Sequence, residues 1–381
     1  MLTEQGCVSR RARLWQRLPH EVDCALLTSP QALAYFAGYE ASPYVFNSQE
    51  APAALILQRG GPAILVADNA QEPFAQAAWV DRREQPLWYR CVEAAPHRGG
   101  LLVAEVVRLL EEVAPSGLAC EFSRTPLGII AGLRLSQPGV DLHDLDDDLR
   151  QLRRVKEVDE LAQIRRSLHA AEAGLAAVRQ QLRPGMTERD VYRLVLKTAS
   201  EAAGEPVLVY GDFVAGPRCE QGGGPASDRP VGAGELVLLD YSVVLGGYRG
   251  DFCTTFVCAG EPSEKMREMH AACLAAIEAG RQALRPGVTG SEVYHACRAV
   301  LAERGWADRF PHHAGHGIGL GHPEPPYLVP ESTEVLQAGD VVTLEPGLYL
   351  PGVGGMRYEH NYVVTPTGCE QLTQHSLSLT Q

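Results

Sequence analysis

Two stretches of this chain nearly repeat each other. LRPGMTERDVY (182–192) and LRPGVTGSEVY (284–294) match at an offset of 102 residues. Each follows an alanine-rich run of helical character, SLHAAEAGLAAVRQQ and MHAACLAAIEAGRQA. In both copies Pro-Gly ends one helix and a threonine opens the next. Thr187 with Asp190 and Thr289 with Glu292 stand at the capping-box spacing, where each side chain satisfies the other's backbone N–H. A repeat of about 100 residues is too long for a solenoid unit. It predicts two related α/β halves facing one another, with a cleft of the kind that favours a ligand site.

At 381 residues the chain is too long for one ordinary core, and two domains are expected. The first third alternates strand and helix signals. DCALLTS, AALILQ and PAILVA are β-type runs, the last two joined by Arg59-Gly60-Gly61, and LLVAEVVRLLEEVA (101–114) has helical periodicity before the β-type LACEF. The boundary is placed at 150/151, giving an α/β domain over 1–150 and an α+β domain with the internal repeat over 151–381. The acidic DLHDLDDDL (141–149) and the charged RQLRRVKEVDE (150–160) read as a solvated connection and surface face at that boundary.

Lys+Arg 34 against Asp+Glu 47 gives a net charge of −13, which argues against nucleic acid or an anionic membrane as a partner. Ten cysteines without a Cys-x-x-Cys pair read as small buried hydrophobes of a reduced compartment. No apolar run is long enough to span a bilayer, and the N-terminus has no signal-like apolar segment. Cytoplasm is the expected location.

Three clusters carry the candidate chemistry. In ELVLLDYSVVLGGYRGDFCTTFVCAG (235–260), two β-type runs flank Gly246-Gly247, the signature of a tight hairpin. A two-residue loop pairs 245 with 248 and 242 with 251, which makes Asp240 and Asp251 diagonal neighbours under about 7–8 Å apart. Two carboxylates facing one another in an apolar hairpin are costly unless a cation holds them. The second cluster, PHHAGHGIGLGHPEPP (311–326), offers four histidines, the commonest metal ligand, among glycines that allow close approach. In the third, GDVVTLEPGLYLPGVGGMRYEHNYVVT (339–365), Glu345 ends an apolar strand. Glu359 sits inside the next strand, beside Arg357. Read singly, each cluster also has a structural explanation: a loop cap, a packed histidine, a Glu359–Arg357 ion pair. Together, hard oxygen donors with one imidazole suit Mn²⁺, Co²⁺ or Zn²⁺, and two such ions can activate a shared water and polarise a carbonyl.

In order and spacing, Asp-x10-Asp in a hairpin, GHGIG, EPGLY and R-x-E resemble the pita-bread metallopeptidases: methionine aminopeptidase, aminopeptidase P and prolidase, with creatinase and ectoine hydrolase as relatives. Arg153, Lys156 and Glu160 resemble the opening of that domain, and the first 140 or so residues resemble the creatinase-type N-terminal domain. The resemblance implies that Asp240, Asp251, His316, Glu345 and Glu359 bind two divalent ions, manganese first, with cobalt or zinc as alternatives. It implies Glu345 as general base, His312 as a substrate contact, and Arg357 and Tyr349 around the pocket, with no role for His313. It also implies a homodimer acting on a small peptide.

The chain departs from the family pattern around the substrate. The family carries a histidine about 17 residues before the first Asp, where this chain has Gly222-Gly223-Gly224-Pro225. The family's His-Glu-x-Pro after GHGIG is here Pro323-Glu324-Pro325-Pro326, with His322 one place early, in reach of the same substrate role after a loop adjustment. Cys253 replaces a threonine and Ser242 a glycine. The leading expectation is metal-dependent hydrolysis of a dipeptide or short peptide at an Xaa-Pro bond. The alternatives are a non-peptide C–N hydrolase of creatinase or ectoine hydrolase type, and a binding module without catalysis.

Overall fold

A computed structural model of the chain describes residues 2–41 and 51–380. It divides into two compact units, Met1–Arg153 and Arg154–Gln381. The first opens on a helix, Glu4–Arg17, capped by Thr3, whose hydroxyl accepts from Gly6 N. Its six-stranded sheet runs in the order Arg82–Glu84, Ala63–Ala67, Ala53–Gln58, Cys24–Leu27, Gly117–Cys120, Asp141–Asp144. Ala53–Gln58 and Ala63–Ala67 form the hairpin read from the Arg59-Gly60-Gly61 turn. Helix Arg98–Val113 buries Leu102, Val106, Leu109 and Leu110 in the core shared with these strands.

The acidic segment differs from its reading as a solvated connection. Asp141–Asp144 is a strand paired in parallel with Gly117–Cys120, and Asp146–Leu152 is a helix. Charged side chains suit an edge strand because they discourage further pairing, so the acidity marked a sheet margin. The surface reading of the next run is also corrected. Arg154, Lys156 and Glu160 are buried. Arg154 pairs with Asp340 (2.8 Å), Lys156 with Glu324 (2.8 Å), and Glu160 accepts from Tyr248 Oη (3.0 Å). Buried charges demand such partners, and these lie up to 186 residues away in sequence.

The repeat appears as two helix pairs: Val158–Gln181 with Glu188–Ala203, and Glu264–Ala283 with Gly290–Glu303. Both capping boxes form, with Thr187 Oγ1 accepting from Asp190 N (3.1 Å) and Thr289 Oγ1 from Glu292 N (3.2 Å). Gly185 and Gly287 take positive φ (93° and 88°), which lets each chain turn between its two helices. The first pair packs on a three-stranded sheet, Leu208–Ala215, Leu236–Leu245 and Tyr248–Val257. The second packs on a five-stranded sheet ordered Glu324–Leu328, Gly315–Gly317, Val341–Leu344, His360–Thr365, Gly368–Gln371. A two-stranded ribbon, Gly347–Leu350 with Gly354–Arg357, completes this α+β unit.

The central hairpin has the register its sequence implies: Leu245 faces Tyr248, Ser242 faces Asp251, and Asp240 faces Cys253. It lies against the long helix Val158–Gln181 at Gly250. A Cβ built there would come 2.6 Å from the Ser167 carbonyl carbon and press on Leu168. Gly250→Ala is therefore expected to destabilise this unit by about 1–3 kcal/mol, as overpacking against backbone does. A urea titration followed by tryptophan fluorescence and circular dichroism checks it; an unchanged midpoint contradicts this packing.

Candidate metal centre and pocket

Asp240, Asp251, His316 and Glu345 line one cavity from separate pieces of backbone, and Glu359 lies beside Asp240 and Glu345. Asp240 and Asp251 come from the two arms of the hairpin. His316 lies in the short strand Gly315–Gly317, and its backbone N–H donates to Thr343 Oγ1 (3.0 Å). Glu345 follows strand Val341–Leu344; its N–H donates to Ala314 O (2.8 Å) and its Oε1 accepts from Thr343 Oγ1 (2.8 Å). Thr343 thus ties the histidine strand to the glutamate strand. Glu359, read as lying inside a strand, sits instead at the break between Gly354–Arg357 and His360–Thr365. Its N–H donates to Cys253 O (2.9 Å), docking the break on the hairpin.

Two groups among the described residues could each hold a metal ion: Asp251 with His316 and His322, and Asp240 with Glu345 and Glu359. Within each group the ligand atoms lie within 4.8 Å of one another. His316 Nε2 is 3.4 Å from Glu345 Oε1 and 3.9 Å from Asp251 Oδ2, so the groups adjoin. Glu359 is 1% exposed, and its Oε1 has no hydrogen-bond partner. A buried carboxylate oxygen left unpaired is costly, and a cation is the partner that fits an all-carboxylate neighbourhood.

The electrostatics agree. Burial pushes Glu359 well above the usual carboxylate range, and the Glu345, Asp251 and Asp240 charges add to the shift. Burial also raises Asp240, to about 6, although Arg357 opposes this. Asp251 goes the other way: burial resists its ionisation, but the hydrogen bond and charge of His322, and the charge of His316, hold it low. Glu345 is likewise held below its ordinary value against burial, by His316, His313 and Arg357.

Arg357 does not pair with Glu359 in the way the strand reading allowed. Its Nε donates to Asp240 Oδ2 (2.6 Å), its Nη1 to Tyr349 Oη (2.6 Å) and the Gly222 carbonyl (2.8 Å), and its Nη2 approaches Asp212 (3.3 Å). Tyr349 Oη, accepting from Arg357, is 3.2 Å from His312 Nε2, while His312 Nδ1 faces the His313 carbonyl (2.8 Å). This network assigns the proton to His312 Nδ1 and leaves Nε2 to accept from the tyrosine. Burial and Arg357 push His312 down to about 4, so the ring is neutral near pH 7.

These groups line one cavity of about 730 Å³ with Tyr210, Asp212, Arg249 and His313. Sequence reasoning gave no role to Asp212 or His313. His313 Nδ1 is 3.7 Å from Glu345 Oε1. Asp212 faces Asp240 across paired strands and accepts from Gly224 N (2.8 Å). A Cβ at Gly223 would collide with its carboxylate, so an aspartate stands where the family's histidine would begin. Ser242 Oγ, in place of a glycine, donates to Asp251 Oδ1 (2.9 Å). Cys253 Sγ donates to the Arg357 carbonyl (3.3 Å).

Residues 162–366 match Metallopeptidase family M24, and residues 10–155 match the Creatinase/Prolidase N-terminal domain. An uncharacterized peptidase of Staphylococcus aureus strain MSSA476 is 29% identical over 367 residues, covering 93% of this chain and 95% of that one. The prolidase of Pyrococcus horikoshii OT3 superimposes with a TM-score of 0.82 at 25% identity, over 98% of this chain and 99% of the other. The X-Pro aminopeptidase of Thermotoga maritima MSB8 gives 0.83 at 24% identity, over 100% and 99%, a likeness of fold. The M24 match covers more than half of the chain and follows its N-terminal companion domain in order, so this protein belongs to metallopeptidase family M24, with the pita-bread fold of that family.

Proposed function

We propose that this protein is a two-metal hydrolase of dipeptides or short peptides, acting at Xaa-Pro bonds. The observation that carries the proposal is the convergence of four carboxylates, three lining one cavity and the buried Glu359 beside Asp240 and Glu345, with an oxygen of Glu359 left unpaired. Asp240, Asp251, His316, Glu345 and Glu359 would hold the ions, manganese first and cobalt or zinc in reserve. Bound there, the ions would supply Lewis-acid polarisation of the scissile carbonyl and a water acidic enough to ionise near neutral pH. The prolidase and X-Pro aminopeptidase likenesses support proline as the residue after the scissile bond. The cavity volume suits a short peptide.

Within this reading Glu345 is the general base. Its low proton affinity keeps it ionised at neutral pH, and the Thr343 hydroxyl fixes Oε1, which would leave the second oxygen to take a proton from the attacking water. The proton it accepts passes to the departing amine. His312, neutral and aligned by Tyr349, and Arg357, braced on Asp240, orient the substrate. His322 borders the same pocket. The free state of all ten cysteines, eight of them buried, supports a reducing cytoplasm, and no described helix is long and apolar enough to cross a membrane. The homodimer implied by family resemblance completes the proposal; light scattering on the purified chain tests it.

One observation favours a second reading. The Asp212 carboxylate beside Gly223 suits a substrate bearing a cationic group, as a non-peptide C–N hydrolase would accept. Manganese-loaded protein assayed on Ala-Pro, Leu-Pro, creatine and ectoine separates the two. Turnover of the dipeptides alone is expected, and turnover of creatine or ectoine alone rejects the peptidase reading. In the same assay Glu345→Gln should lose at least about a thousandfold in turnover while retaining metal.

The raised carboxyls give a pH signature. Asp240 and Glu359 hold protons more tightly than ordinary carboxyls in the metal-free protein, and an entering cation displaces them. Apparent metal affinity should therefore fall as pH drops through about 6, with proton release on loading. Calorimetry in buffers of different ionisation enthalpy checks this; an affinity flat between pH 5 and pH 7 contradicts it.

A further inference from the structure

We infer that His322 is itself a metal ligand, so that this chain holds its ions with six side chains and the position at Asp251 is nitrogen-rich. The inference rests on the two-metal reading above and adds a residue to it. His322 Nε2 lies 2.6 Å from Asp251 Oδ2. Asp251 Oδ1 is engaged by the Ser242 hydroxyl, which leaves Oδ2 to face a cation. Oδ2 is also the oxygen nearest His316 Nε2, at 3.9 Å. The imidazole of His322 therefore meets the ion-facing oxygen, and the three donor atoms share one small space. A cation entering that space takes the place of the His322–Asp251 hydrogen bond and receives Nε2 directly. His316 is already set for such a role, because Nδ1 faces the Gly317 carbonyl (2.9 Å) and Nε2 is left as the donor.

The loop that carries His322 is built to hold it there. Glu324 Oε2 accepts from Gly321 N (3.0 Å), and Glu324 Oε1 pairs with Lys156 (2.8 Å), both side chains being buried. On the near side of the loop, Arg249 N donates to the Gly319 carbonyl (3.0 Å), joining the loop to the strand that carries Asp251. The histidine is thus anchored to the hairpin before it and to the buried Lys156–Glu324 pair after it.

A second neutral imidazole adds a donor without adding charge, so the balance of four carboxylates against two dications is unchanged. It does make the two positions unlike. Asp251 with His316 and His322 is a mixed nitrogen–oxygen set that suits zinc or cobalt, whereas Asp240 with Glu345 and Glu359 is an all-oxygen set that suits manganese.

Crystals of the full chain loaded with zinc, with data at the zinc edge, test the assignment directly. His322 Nε2 is expected about 2.0–2.1 Å from one ion. Two ions present with Nε2 beyond bonding distance of both overturns the assignment and leaves the two-metal reading intact; no ion among these residues overturns that reading itself. In solution, a chelator-competition titration with zinc should show His322→Ala losing at least tenfold in affinity at one position and none at the other. His313→Ala, which alters the same pocket outside both ligand groups, should lose at neither. Equal zinc binding by parent and His322→Ala also overturns the assignment.

Discussion

Four carboxylates crowd one place: Asp240, Asp251 and Glu345 line the cavity, the buried Glu359 lies beside Asp240 and Glu345, and the folded chain has to tolerate them. Arg357 neutralises one by pairing with Asp240, and His322 and His316 lean on Asp251. Glu359 is left with an unpaired oxygen and a strongly raised proton affinity. Burial, with the neighbouring carboxylates adding to it, shifts Asp240 and Glu359 upward, while against burial the imidazoles close by hold Asp251 and Glu345 down. The surrounding architecture brings the four together. The glycine turn sets the hairpin register, Thr343 ties two strands, and the Glu359–Cys253 backbone bond docks a third segment.

The features readable in the sequence were those set by local geometry or by an unbroken motif. A two-residue Gly246-Gly247 loop leaves one register, so the diagonal of Asp240 and Asp251 follows from counting residues. The capping boxes at Thr187 and Thr289 are local in the same sense. Periodicity does not report long-range pairing. The run around Arg154 and Lys156 has the composition of a solvent face, and its burial depends on Asp340 and Glu324, contacts separated by 186 and 168 residues. Asp212 carries no motif, and only the pairing of its strand with the Asp240 strand brings it into the pocket. The break at Glu359 was hidden because the residues on both sides are strand-like.

The five residues expected as ligands match the family pattern, and the differences lie beside them, at Gly223, Ser242, Cys253 and His322. The loss of a histidine near residue 223 coincides with a carboxylate occupying that space, and the one-place shift of His322 coincides with its contact to Asp251. Asp212, Tyr349, His312 and Arg357 are polar side chains lining the same pocket.

The most direct test of the central claim is a count of ions. Metal-free protein dialysed against manganese at neutral pH and analysed by plasma emission should bind two ions per chain. Glu359→Ala, which removes the buried unpaired oxygen, should bind fewer. A parent protein that takes up no metal after dialysis against manganese, cobalt and zinc in turn would contradict the account.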